Sequence, residues 1–177
     1  LYGFQGVRQS LDPARLQTRS DTEVLLRLLM GRGLSGLDSV NGMYAFAQYD
    51  GSARRTYLGI DLLGIKPLYA CAMPGFVLFS SELRSLAEMM RECGIALRLD
   101  QESLAQYLRY GWVKAPRSIL FGVHKFEPGE CWTVLPDGGI QMAGRSLPPA
   151  AQEPIEGLGQ ARQRFVETLD QVVADQL

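Results

Sequence analysis

Between Asn41 and Tyr69 the chain reads NGMYAFAQYDGSARRTYLGIDLLGIKPLY, and this run restricts the fold more than any other stretch. Asn41-Gly42 is a turn dipeptide, and Met43 to Tyr49 is rich in aromatic and small apolar residues. Asp50-Gly51 is a second turn signal, after which Thr56 to Ile60 returns as a strand. The first half is therefore an antiparallel hairpin. The second half, Asp61-Leu62-Leu63-Gly64-Ile65-Lys66-Pro67-Leu68-Tyr69, places Asp, Gly, Lys and Pro at fixed offsets among apolar residues. Such a run specifies a shaped connection rather than a flexible one.

The rest of the chain alternates capped helices with short strands. Leu1, Phe4, Val7 and Leu11 recur at helical spacing until Asp12-Pro13 breaks the pattern. Ser20 with Glu23 three residues on forms a capping box ahead of Val24 to Met30, with Gly31 and Gly33 as stops. Leu34, Leu37 and Val40 predict one further turn packed on the core. Leu68 to Ala72 and Phe76 to Phe79 predict a hairpin about Pro74-Gly75, followed by a helix from Glu82 to Arg91. Leu97 to Leu99 is extended. Asp100 caps a helix carrying Leu104, Tyr107 and Leu108, which Gly111 ends. Glu130 to Leu135 and Ile140 to Ala143 predict a late hairpin about Pro136-Asp137-Gly138-Gly139. Residues 147–159, with three prolines, read as an interdomain linker, and from Gln160 the residues Phe165, Leu169, Val172, Val173 and Leu177 give a helical stripe. The sum is an α+β pattern.

Composition narrows the function. A net charge of -1 gives no electrostatic case for nucleic acid or an anionic membrane. No stretch is apolar for long enough to span a bilayer, so a cytoplasmic location is expected. Cys71, Cys93 and Cys131 are an odd number at wide spacings, as expected of free thiols in a reducing compartment. His124 is the sole histidine, which leaves a Cys/His zinc site almost nothing to work with; it is expected to be a solvated strand-end or loop residue. No metal site is expected. The chain opens on Leu1 in mid-motif and ends inside an amphipathic pattern, so a piece of a longer protein, truncated at both ends, is expected.

Gly42-Met43-Tyr44-Ala45-Phe46-Ala47 and Asp61 to Tyr69 resemble, in order and spacing, the glutaminase half of the glutamine-dependent asparagine synthetases, a class II glutamine amidotransferase. Ser20 to Leu26 is similar to that family's Ser-Asp-Thr-Glu-Val helix start, and Phe79 to Leu86 to its Phe-x-Ser-Glu-Leu-Lys-x-Leu. Pro116 to Val123 and Lys125 to Gly129 resemble the segment that closes the domain. One departure is Ile60, where the family has Arg. The resemblance implies a partial four-layer αββα N-terminal-nucleophile hydrolase fold, two stacked antiparallel sheets flanked by helices, over residues 1–146. It also implies that residues 160–177 are the first helix leading into an ATP-dependent synthetase domain.

In that family a cysteine freed at residue one attacks the side-chain amide of glutamine, with its own α-amino group as base, and an Asn-Gly-Glu segment supplies oxyanion donors. Residue one is Leu here and Asn41-Gly42 is a different Asn-Gly, so no catalytic residue carries over, and the fragment alone is expected to be inactive. Cys71, Cys93 and Cys131 cannot offer a free α-amino base. Asp21 does carry over. It matches the Asp that receives the α-ammonium of glutamine, although an acid in a first helical turn is otherwise ordinary. Asp61 and Lys66 are expected to fix a loop, with Lys66 paired to a carboxylate, and Glu82 to join a similar network. The resemblance implies glutamine as substrate, a C-terminal synthetase domain as partner, and ATP with magnesium in that domain rather than in this one; it admits a homodimer. An amidotransferase for another acid, or a non-catalytic scaffold, uses the same architecture.

Overall fold

The computed structural model describes residues 4–12, 16–145 and 157–176. Its contacts divide the chain into two compact units, residues 1–42 with 147–177, and residues 43–146.

In the first unit, helix α1 spans Phe4–Gln9 and α2 spans Asp21–Arg32. Ser20 is the N-cap of α2, its side chain accepting the N–H of Thr22 at 3.1 Å. Val24, Leu25, Leu28 and Leu29 form the buried stripe, recurring at one and three to four residues as one helical face requires. Gly31 does not stop the helix; Gly33 does, with φ 61 at the C-cap. A 3-10 helix, Gly33–Ser39, follows and buries Leu37, the further turn predicted from Leu34 and Leu37. It seats closely on α2, since a Cβ at Gly36 would lie 2.9 Å from Leu28 Cγ. Helix α5, Leu158–Gln176, begins two residues earlier than expected. The expected linker lies outside the described residues as far as position 156.

The second unit holds strands β1 (Ala45–Asp50), β2 (Arg55–Ile60), β3 (Tyr69–Met73), β4 (Phe76–Ser80), β5 (Val123–Lys125), β6 (Glu130–Val134) and β7 (Ile140–Arg145). They form two antiparallel sheets, β1-β2-β6-β7 and β4-β3-β5. The β1–β2 hairpin pairs Ala45 with Ile60 and Asp50 with Arg55. Its tip is held by the Asp50 carboxylate, which accepts the Ser52 and Ala53 N–H groups and the Ser52 hydroxyl. Leu58, Ile60 and Trp132 from the first sheet meet Ala70 from the second, with Leu68 and Phe126, in one apolar cluster, so the sheets face each other. Ile60, at the family's Arg position, is 2 % exposed and belongs to that cluster. In the middle of the first sheet Gly59 lies between Phe46 and Cys131 in register, and a Cβ there would fall 2.6 Å from Phe46 Cε1. The glycine makes room for the ring.

Helix α3, Leu83–Glu92, packs Leu86 and Met90 against Cys71 and Val123, on the other face of the β3–β5 sheet. Helix α4, Gln101–Tyr110, is capped at its start by Asp100, which accepts Ser103 N–H at 2.8 Å, and is closed by Gly111 in the left-handed region. Tyr107 and Leu108 are 52 % and 77 % exposed, so α4 buries little beyond Ser103. The whole is α+β: two antiparallel sheets with helices.

Strand β5 was not expected, and it corrects the reading of His124. That residue is neither a strand end nor a loop. It pairs with Ala70 in the middle of β5, and its half-buried ring packs on Trp132 and edge-on to Phe126.

Candidate functional site

The Asp61–Tyr69 connection is built around a buried carboxylate. Asp61 is 1 % exposed, and its side chain accepts four backbone N–H groups: Tyr44 at 3.3 Å, Leu63 at 3.1 Å, Ile65 at 3.0 Å and Lys66 at 2.9 Å. Its main chain adds three more bonds. The N–H donates to Tyr44 O, and the carbonyl accepts from Gly64 and Gly129. One residue therefore ties the end of β2, the start of β1, the loop and, through its carbonyl, the approach to β6. Gly64 is left-handed at φ 65, and a Cβ there would stand 3.1 Å from the Pro128 ring. Lys66 is expected to pair with a carboxylate through its side chain; what the structure shows is its backbone N–H donating to Asp61. The Lys66 side chain is exposed and, among the described residues, joins no ion pair. Glu82 is the N-cap of α3 and makes no capping hydrogen bond with its side chain; its N–H donates to Ser80 Oγ.

A second buried acid had no signal in the sequence. Glu130 is 2 % exposed, and its carboxylate accepts the Trp132 indole N–H at 2.7 Å and the Glu127 N–H at 2.6 Å. His124 Nε2 lies 3.0 Å from both oxygens. Burial works to raise the Glu130 pKa, but the bonds from His124, Glu127 N–H and Trp132 outweigh it and hold the group below its usual value. An acid within a β-strand pattern reads as solvent-facing, and only the return of His124 and Trp132 to the same place reveals it.

The three thiols divide by burial. Cys71 and Cys131 are buried and Cys93 is exposed at the C-cap of α3; none is in a disulfide. Burial, reinforced by the Glu130 charge, pushes the Cys131 thiol up to about 11, and burial raises Cys71 as well. Neither is poised as a nucleophile at neutral pH. Among the described residues no three His, Cys, Asp or Glu side chains cluster as a metal site requires, and no helix is long and apolar enough to cross a membrane.

Asp21 is the first residue of α2 and is half-buried. It stands in the first turn, where the helix dipole favours an anion. Glu23, two residues on, does not close the expected capping box onto Ser20 N–H. Its carboxylate reaches past the cap to the N–H of Gln17 at 2.9 Å and the N–H and hydroxyl of Thr18 at 2.6 and 2.7 Å. Those bonds, with Arg27 behind, hold its pKa down to about 2. Asp21 and Glu23 belong to the first unit, whereas Asp61, Glu130 and the cysteines belong to the second.

The sequence profile of a glutamine amidotransferase domain matches residues 1–143. This chain belongs to that family. Among curated relatives, it is 32% identical over 142 residues to asparagine synthetase [glutamine-hydrolyzing] 1 of Bacillus subtilis, covering 79% of this chain and 22% of the relative. It is 38% identical over 93 residues to asparagine synthetase B [glutamine-hydrolyzing] of Escherichia coli, covering 51% of this chain and 17% of the relative. A putative asparagine synthetase [glutamine-hydrolyzing] 2 of Methanocaldococcus jannaschii is 30% identical over 127 residues, 72% of this chain and 24% of the relative. The amidotransferase domain spans less than a quarter of the length of these relatives.

Proposed function

We propose that this amidotransferase domain is the glutaminase part of a glutamine-hydrolysing asparagine synthase. In that enzyme a synthetase domain in the same polypeptide uses ATP and magnesium to activate aspartate, and ammonia from glutamine completes the amide. The reading is carried by the family match over residues 1–143, together with relatives that are glutamine-hydrolysing asparagine synthetases by name. A cytoplasmic setting suits three unpaired cysteines.

Within the domain, Asp21 is proposed to receive the α-ammonium of glutamine. A carboxylate in a first helical turn stays ionised there and offers an oxygen to a ligand cation. Cys71 and Cys131 are buried with raised pKa values, and Cys93 has no base assigned to it, so the attacking sulfur is proposed to be an N-terminal cysteine that these residues do not include. The 177-residue polypeptide alone is therefore expected to release no ammonia from glutamine.

The test uses the full-length enzyme and compares asparagine formation from glutamine with that from free ammonia. Asp21→Ala is expected to lower glutamine-dependent kcat/KM by about tenfold to a hundredfold, the loss of one charge-assisted contact, and to leave the ammonia reaction intact. Equal loss of both activities would mark Asp21 as structural. Ammonia release by the 177-residue chain alone would overturn the assignment of the nucleophile.

A further inference from the structure

The segment that leads into α2 is fastened by a chain of hydrogen bonds that passes on both sides of Asp21. Glu23 begins it. Its two oxygens accept Gln17 N–H at 2.9 and 3.1 Å, and Oε2 also accepts the Thr18 N–H at 2.6 Å and the Thr18 hydroxyl at 2.7 Å. Thr18 Oγ1 in turn accepts Ser20 N–H at 3.2 Å. Ser20 Oγ then accepts Thr22 N–H at 3.1 Å, and the Ser20 carbonyl accepts Val24 N–H at 3.3 Å. Behind the carboxylate, Arg27 Nε stands 3.7 Å away, with the Glu23 side chain 12% exposed.

This is more than a helix cap needs. The start of α2 is already closed by Ser20, and a capping glutamate would bond the N–H of Ser20 itself. Glu23 instead spends both oxygens on residues five and six positions upstream, which no turn of α2 includes. What it fixes is the path of residues 17–20. That path, with Thr22 pinned on the other side, sets the direction in which the Asp21 Cα–Cβ bond leaves the backbone.

We propose that Glu23, with Thr18 as its relay, is a positioning residue for glutamine: it holds the Ser20–Thr22 backbone so that the Asp21 carboxylate meets the substrate ammonium in one orientation. This rests on the glutamine-binding reading of Asp21. Glu23 touches no substrate, and its carboxylate, whose pKa the donors hold down to about 2, stays charged at any pH at which the enzyme works. A misplacement of the order of an ångström costs about a hundredfold in such arrangements.

The experiment measures, in the full-length enzyme, KM and kcat with glutamine and kcat with free ammonia for Glu23→Ala, Thr18→Val, Thr18→Ser and Asp21→Asn. Expected are a rise of about tenfold or more in KM for glutamine in Glu23→Ala, a smaller rise in Thr18→Val, and a near wild-type value in Thr18→Ser, which keeps the hydroxyl. Ammonia-dependent kcat stays within about twofold throughout. Thr18→Val and Thr18→Ser differ from wild type by few atoms, so they report even if Glu23→Ala folds poorly. If Asp21→Asn raises KM while Glu23→Ala and Thr18→Val do not, the positioning role is wrong and the Asp21 reading survives. If Asp21→Asn leaves KM unchanged, the Asp21 reading fails and the positioning role fails with it. Parallel loss of the ammonia reaction in Glu23→Ala and Thr18→Val would make the clasp merely structural.

Discussion

Asp61→Asn separates a loop-fixing carboxylate from a reactive one. Each oxygen of Asp61 serves two donors: Oδ1 takes Leu63 and Ile65 N–H, and Oδ2 takes Tyr44 and Lys66 N–H. Asparagine has nearly the same shape but a single acceptor oxygen. Whichever way the amide turns, its NH2 group faces two N–H groups, so two of the four bonds are lost and two donors are left opposite a donor. A buried donor without a partner costs about 1–3 kcal/mol. Two of them give roughly 2–4 kcal/mol, taking the lower half of that range because the loop donors lie partly within reach of water. Urea unfolding of the 177-residue chain, followed by tryptophan fluorescence and far-ultraviolet circular dichroism, measures this directly. The midpoint is expected to fall with the slope unchanged. Asp61→Ala, which removes all four acceptor bonds, is expected to fall further. A loss of less than about 0.5 kcal/mol in Asp61→Asn, the range of ordinary surface changes, would refute the assignment of the carboxylate as the anchor of the loop.

Three further outcomes follow from the second unit. Gly59→Ala places a methyl group 2.6 Å from Phe46 Cε1 and 2.8 Å from Cys131 Sγ. It is expected to cost about 1–3 kcal/mol in urea unfolding, partly recovered by adding Phe46→Leu. The Glu130 carboxyl sits below its ordinary 4.5 in the folded protein, so its stabilisation is complete above that pH and is lost as pH falls through the folded-state value. Glu130→Gln should therefore be less stable at neutral pH and show a flatter acid limb in Tm against pH; an unchanged acid limb would contradict the pairing. In native protein a thiol reagent should label exposed Cys93 alone, with Cys71 and Cys131 reacting only on unfolding. Rapid labelling of more than one thiol would show the two-sheet core to be open.

Much of the fold was legible in the sequence because local rules and tertiary packing agree there. Ser20, Asp100 and Gly111 cap as their types dictate, and the turns at Asp50-Gly51 and Pro74-Gly75 close the hairpins expected of them. The misses fall where tertiary contacts decide. Strand β5 is only three residues long, too short for any alternation to show, and it exists because β3 offers it an edge. The burial of Glu130 had no sequence signal because its donors come from His124, Glu127 and Trp132 at distances fixed by the return of the chain. Gly31 has a breaker's composition but sits inside α2, where buried Leu28 and Leu29 on the same helix outweigh the cost of one glycine, about 1 kcal/mol relative to alanine.

The site was less legible than the fold, for a related reason. Satisfying four main-chain donors with one buried carboxylate fixes residue type and spacing together: Asp at 61, a left-handed Gly at 64, and a donor at each of 63, 65 and 66. A constraint that strict leaves a readable signature, so the Asp61–Tyr69 run discloses the family while the geometry gives it a mechanical task. The ligand contact proposed for Asp21 leaves a fainter one. Asp21 needs only to be an acid in a first helical turn, a type and place that many helices share. The Ser20–Glu23 spacing then matched a capping box, yet the glutamate passes over Ser20 N–H to Gln17 and Thr18. The spacing rule holds the partner to be the cap because the segment upstream is taken to be free. Here that segment folds back to within reach of the first turn, and two N–H groups and a hydroxyl on a carboxylate outcompete the one N–H of the cap.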